Sequence, residues 1–139
     1  MEEQTIKIFT LEEANKILPN ISKILEDAQV LSYRIRSIKM DMDNLMGIWG
    51  KDLLEKGHVD NDYYNERIIQ RQKIHSELAD KIEAMQKFGC VVKDVDTGLV
   101  DFYYENKGTL AFLCWKYGEK RVSHWHLIDS GFASRMPVD

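Results

Sequence analysis

The chain has 139 residues, enough for one domain with a real core, and a net charge of −4. Residues 90–139 carry six Lys/Arg against seven Asp/Glu, so no basic half hides in the average and nucleic acid is not an expected partner. No apolar run approaches the roughly 20 residues that cross a bilayer, and two cysteines do not make a disulfide framework. The acidic start, Met1-Glu2-Glu3-Gln4, lacks a signal-peptide core. Together these features predict a soluble, cytoplasmic protein with no membrane partner.

Thr10-Leu11-Glu12-Glu13 has the spacing of a capping box, with a hydroxyl at the cap and a carboxylate three residues on. Two interleaved seven-residue series follow: Ala14, Ile21, Ala28, Ile35 and Met42, then Ile17, Ile24, Leu31, Ile38 and Leu45. All ten positions are apolar, the pattern of a coiled-coil seam. Leu18 and Leu25 widen the stripe, and Pro19 predicts a kink or a division one turn in. The helix should run from about Thr10 to Met46, with Gly47, Gly50 and Gly57 breaking the pattern around a short helical turn at 51–56.

Asp60-Asn61-Asp62 offers a cap for a second helix, ending at Gly89. Its expected stripe is Tyr64, Ile68, Arg71, His75, Leu78, Ile82 and Met85, in which Arg71 and His75 either set register at the edge or form a buried polar site. The 50-residue remainder is too short to cover the whole seam. An uncovered apolar stripe is rare on soluble monomers, so a homodimer is expected.

The last third reads as a small antiparallel sheet. Asp96-Thr97-Gly98 and Asn106-Lys107-Gly108 have the form of three-residue turns, and Gly118-Glu119 suits a two-residue type II′ turn. These turns pair Lys93 with Asp101, Asp101 with Leu113 and Leu113 with His124, and they align Val91, Tyr103, Ala111 and His126. Lys93, Asp101, Leu113, His124 and His126 then share a mixed face. Cys90, Val92, Val100, Phe102, Phe112, Cys114 and Trp125 share an apolar face that packs on the helices. Cys90 and Cys114 would lie two strands apart, about 10 Å, too far for a disulfide.

The expected fold is therefore α+β in a single domain. It has a long antiparallel helical hairpin at 10–89, a four-stranded antiparallel meander at 90–128 and a tail at 129–139.

One constellation suggests chemistry. His124 and His126 alternate on a strand and so point the same way, and Asp101 is the carboxylate best placed to join them. One divalent ion, zinc or else iron or manganese, is the cofactor such a set could hold. Cys114 would join only if a one-residue bulge turned it toward the histidines, and that is left open. Glu13 could close the site as a fourth ligand or general base, and Arg135 could hold an anionic small molecule. Plainer roles compete. Asp101 can pair with Lys93, His124 can stack on a tryptophan, His126 can anchor to a backbone carbonyl, and His58 sits in a glycine-flanked loop. No Gly-rich phosphate loop, CxxC, HExxH or nucleophile elbow is present.

Several stretches resemble the uncharacterised prokaryotic family known as domain of unknown function 2203. They are Phe9-Thr10-Leu11-Glu12-Glu13-Ala14-Asn15 with Leu18-Pro19, Thr97-Gly98-Leu99-Val100-Asp101-Phe102, Cys114-Trp115, Gly118-Glu119, Trp125-His126, and Gly131-Phe132 with Arg135 and Pro137. The resemblance implies no established activity. It gives weight to Glu13, Asp101, Glu119, His126 and Arg135, which fall inside the matching stretches, and less to His124. Tyr103 and Lys120 stand where the family pattern has Pro, and the 47–62 connection is longer than its usual one.

Three functions fit these residues: a small metalloprotein or ligand-binding protein, with or without catalysis; a non-enzymatic dimeric helical-hairpin scaffold; and a nucleic-acid-associated regulator, which the acidic balance disfavours.

Overall fold

The computed structural model describes residues 6–139; the acidic start Met1–Gln4 lies outside the described residues. Two helices come first: α1 at Leu11–Trp49 and α2 at Asn61–Gln86, with a 3-10 turn at Gly50–Leu54 between them. A five-stranded antiparallel sheet follows, with β1 at Val91–Asp94, β2 at Leu99–Asn106, β3 at Thr109–Lys116, β4 at His124–Leu127 and β5 at Met136–Pro137, in that spatial order. Among the described residues no helix is long and apolar enough to cross a membrane. The chain divides into two compact units, one of Val30–Asp80 and one of the residues up to Gln29 together with Lys81–Asp139.

The capping box forms. Thr10 N donates to Glu13 Oε1 at 2.9 Å and Glu13 N to Thr10 Oγ1 at 3.1 Å, satisfying two backbone donors that a helix start leaves without partners. Pro19 does not divide α1, which runs through it and past Gly47 to Trp49. Pro19 itself is exposed.

None of the ten seam positions is exposed. In the unit at 30–80, Leu31, Ile38 and Met42 form one hydrophobic cluster with Ile74, and Ile35, Tyr64, Ile68 and Leu78 pack against it. The seam therefore has partners within the chain, and an uncovered stripe no longer argues for self-association. On α2 the buried stripe runs through Ile74, while the neighbouring His75 is exposed. From Arg71 a three-residue step reaches Ile74 and a four-residue step reaches His75, and burial follows the apolar residue.

In the other unit, Ala14, Leu18, Ile21, Leu25 and Ala28 of α1 are buried, as are Met85 of α2 and Val100, Phe102, Leu113 and Trp115 of the sheet. Phe9 N donates to Tyr103 O at 2.7 Å, and its buried ring meets Phe102 edge-on at 5.2 Å. Asn15 clasps the loop before β4: its Oδ1 accepts from Val122 N at 2.7 Å and its Nδ2 donates to Val122 O at 3.0 Å.

The registers differ from those expected by one residue or more. Asp101 pairs with Val91 and Cys114, Leu113 with Phe102 and Trp125, and His126 with Phe112. Asn106 pairs directly with Thr109, leaving a two-residue turn in which Lys107 (φ 51°) and Gly108 (φ 83°) are both left-handed. That is the type I′ hairpin geometry, which matches the twist of the strands, and it rotates β3 by one residue against a three-residue turn. Phe112 and Cys114 move to the face of Asp101 and His126, while Ala111, Leu113 and Trp115 move to the other. The turn expected at Gly118-Glu119 is instead part of a longer loop, with Glu119 N donating to Lys116 O at 3.0 Å before β4 begins. In β1 the register shifts between Val92 and Asp94, a bulge at Lys93. Finally, the tail is not structureless. It holds a 3-10 turn at Phe132–Ser134 and then β5, which pairs with β4 and makes the sheet five-stranded rather than four. Pro137 fits there because an edge strand tolerates a missing donor.

Candidate functional site

The rotated register brings Asp101 of β2, Cys114 of β3 and His126 of β4 together. All three are 2% exposed, and their donor atoms lie within 4.8 Å of one another. Among the described residues this is the only group of three His, Cys, Asp or Glu so placed.

The protons of this group can be counted. His126 Nδ1 is 2.7 Å from Leu127 O, and a carbonyl only accepts, so Nδ1 carries a hydrogen. His126 Nε2, 3.1 Å from Asp101 Oδ2, therefore shares one proton with that carboxylate. Burial pushes the Asp101 carboxyl upward, opposed by His126, by the hydrogen bond from Cys114 and by the charge of Lys93. The Cys114 thiol is pushed up to about 12, first by burial and then by Asp101, with Arg135 acting in the other direction. It is a protonated thiol that donates to Asp101. Asp101 thus stands between the sulfur and the imidazole, which is not the direct thiol–imidazole contact of a cysteine nucleophile and its base.

A cavity of about 190 Å3 opens onto the three groups, walled otherwise by Lys93, Leu99, Ser130, Gly131 and Phe132. The wall from Ser130 to Phe132 comes from the tail. The Phe132 ring carries two cations, with Arg135 Cζ 4.2 Å and Lys116 Nζ 5.3 Å from its centre. A wider groove of about 490 Å3 between the start of α1 and the 117–123 loop gathers no comparable donor set.

The remaining candidates lie elsewhere. His124 pairs with Cys114 across the strands, but its Nδ1 is 3.0 Å from Ser123 Oγ and it stays outside the three-residue group. Glu119 and Arg135 find each other in a two-pronged ion pair at 2.8 and 2.5 Å, which holds the Glu119 carboxyl below its usual range. Glu119 Oε1 also accepts from Lys116 N at 2.7 Å. Arg135 interacts with the Cys114 thiol as well, which links the ion pair to the group. Glu13 is spent on the helix start and does not line the cavity. Both cysteines are buried free thiols; Cys90 donates to Met85 O at 3.2 Å. Cys114 is the site residue that the expected registers place on the other face; Lys93 is on the expected face, although Val91 rather than Lys93 pairs with Asp101. The signal that finds Cys114 is the Lys107-Gly108 pair, a two-residue hairpin turn in its own right.

The architecture is thus that of an α+β protein with two helices, an antiparallel sheet and a buried Asp–Cys–His group that could hold a metal ion. The chain belongs to the family described as uncharacterized conserved protein (DUF2203), whose model matches residues 7–138. No curated protein and no solved structure matches it.

Proposed function

We propose that the protein binds one divalent metal ion, zinc by preference, through Asp101, Cys114 Sγ and His126 Nε2. The observation that carries this reading is the fixed tautomer of His126. Its Nδ1–H is committed to the Leu127 carbonyl, the outer-sphere bond that metal-ligating histidines usually make, and this leaves Nε2 aimed at the group. One sulfur, one imidazole and one carboxylate suit zinc better than manganese, which prefers oxygen. Three protein ligands and a cavity on the fourth side resemble an open rather than a structural site, where an ion would supply Lewis acidity. Asp101 and Cys114 orient one another, while the tail limits access of water. The Arg135 guanidinium, already engaged by Glu119, offsets charge on the sulfur.

Elemental analysis of untagged protein should find about one zinc per chain, and Cys114→Ala should weaken zinc binding by roughly 100-fold or more. Protein that retains no zinc, with equal affinity in the variant, would refute the reading.

The second reading is a dimeric module whose two helices form an antiparallel hairpin. The observation in its favour is the set of exposed apolar side chains on the helices, Val30, Tyr33, Met40, Ile48 and Ile69. Light scattering at micromolar concentration should then give twice the 16.3 kDa chain mass, and a clean monomer mass would discard it.

A further inference from the structure

We propose that the open side of the Asp101–Cys114–His126 centre takes a small organic monocarboxylate, gripped by the Lys93 ammonium. This rests on the metal-binding reading above and adds the ligand class and the residue that selects it.

Lys93 is the extra residue of the β1 bulge. Bulges commonly re-aim a side chain beside a functional site, and here the lysine lines the cavity that the three donor groups share. Its Nζ lies 4.9 Å from the centre of the Phe112 ring, and that ring lies 5.5 Å from the His126 ring with their planes tilted by 50°, so lysine, phenylalanine and histidine follow one another along one face. Among the described residues no carboxylate forms an ion pair with Lys93.

Charge then selects the ligand. A divalent ion held by one thiolate, one carboxylate and a neutral imidazole is a neutral centre. Glu119 and Arg135 cancel. With Asp101 counted in that centre, Lys93 remains as one positive charge with no ion-pair partner among the described residues, beside a small, partly apolar cavity, which calls for one negative charge in return. The walls at Leu99 and Phe132 favour an anion with an apolar part over a bare halide. Phosphate, mostly dianionic at pH 7.5, brings more charge than one ammonium balances. The Ser130 hydroxyl is turned to Leu127 O at 3.2 Å, so it adds no free donor for further oxygens. A monocarboxylate can place one oxygen toward the ion and the other toward Lys93, with its carbon chain against Phe132.

The test uses cobalt(II) as the metal. Full-length protein is loaded with Co²⁺, and its visible bands and sulfur charge-transfer band are followed while propionate, chloride or inorganic phosphate is added at pH 7.5. Propionate should shift the visible bands saturably, and chloride and phosphate should need about tenfold higher concentrations or more. Lys93→Gln should weaken propionate binding by about tenfold or more, Lys93→Arg should retain it, and Co²⁺ affinity should stay within about threefold in both. A sulfur–cobalt band whose neighbours ignore propionate would overturn this proposal and leave the metal reading standing. Equal propionate binding by wild type and Lys93→Gln, or equal response to phosphate, would do the same. Absence of the sulfur–cobalt band, in a protein that does not bind Co²⁺, would overturn both.

Discussion

With metal removed by a chelator, His126→Leu should destabilise the protein by roughly 3–5 kcal/mol, the usual cost of breaking a buried pair from one side. Asp101 and His126 are each 2% exposed, and the imidazole is the neighbour that most offsets the burial cost of the carboxylate. Without it Asp101 keeps the hydrogen bond from the Cys114 thiol but loses its shared proton and gains no water. The double variant Asp101→Leu/His126→Leu should recover much of the loss, since a buried pair replaced by apolar groups is often close to neutral. Urea unfolding at pH 7 with EDTA present measures all three proteins. A single-variant loss below about 1 kcal/mol, or a double variant no better than the single, would show that the two side chains are not coupled as the geometry requires.

Gly98→Ala should cost about 3 kcal/mol or more. Gly98 has φ 76°, a region that by itself costs a residue with a Cβ about 1–2 kcal/mol. Space is the larger obstacle. A Cβ there would collide with Tyr117 Cβ and come within 3.3 Å of Leu25 Cδ2 and Gln29 Nε2. Tyr117 cannot yield by rotating its side chain, because Cβ is fixed to a backbone whose N–H donates to Gly98 O at 2.8 Å. Gly108→Ala is the matched control, with φ 83° and nothing within 4 Å of its added Cβ. It should lose only about 1–2 kcal/mol. Thermal or urea unfolding of the two variants separates backbone strain from collision, and equal losses would mean that the turn at Gly98 can open.

What the sequence disclosed follows the length of the signal. The seam of α1 repeats over five heptads, so its burial was legible, and the capping box was legible from Thr10 and Glu13 alone. The capping contact holds Glu13 at the helix start, and the cavity at Asp101, Cys114 and His126 is lined without it. The stripe of α2 was less secure because steps of three and of four residues are both helical, and only packing chose Ile74 over His75.

Strand faces have a period of two, so one miscounted turn residue exchanges them all. Counting Asn106-Lys107-Gly108 as three sends Cys114 to the helix side, and a second one-residue shift between β3 and β4 returns His124 and His126 to the face of Asp101. β5 gave no readable pattern, being two residues with a proline. The plain role of His126, a bond to a backbone carbonyl, and its sharper role at a metal turn out to be compatible. The first bond is what frees Nε2 for the second.

The three tryptophans are divided between the two compact units in a way that matters to light. Trp49 belongs to the unit at 30–80, where its indole N–H donates to Asp60 at 2.8 Å and its ring meets His58 edge-on at 4.7 Å, half open to solvent. Trp115, 2% exposed, lies in the other unit, as does Trp125, which faces Met136 across β4 and β5. Each unit therefore carries its own chromophore in a different polarity, red-shifted emission from Trp49 and blue-shifted emission from Trp115. Replacing one indole at a time by phenylalanine should resolve the natural fluorescence of the chain into two colours, one for the unit at 30–80 and one for the unit that holds the buried group.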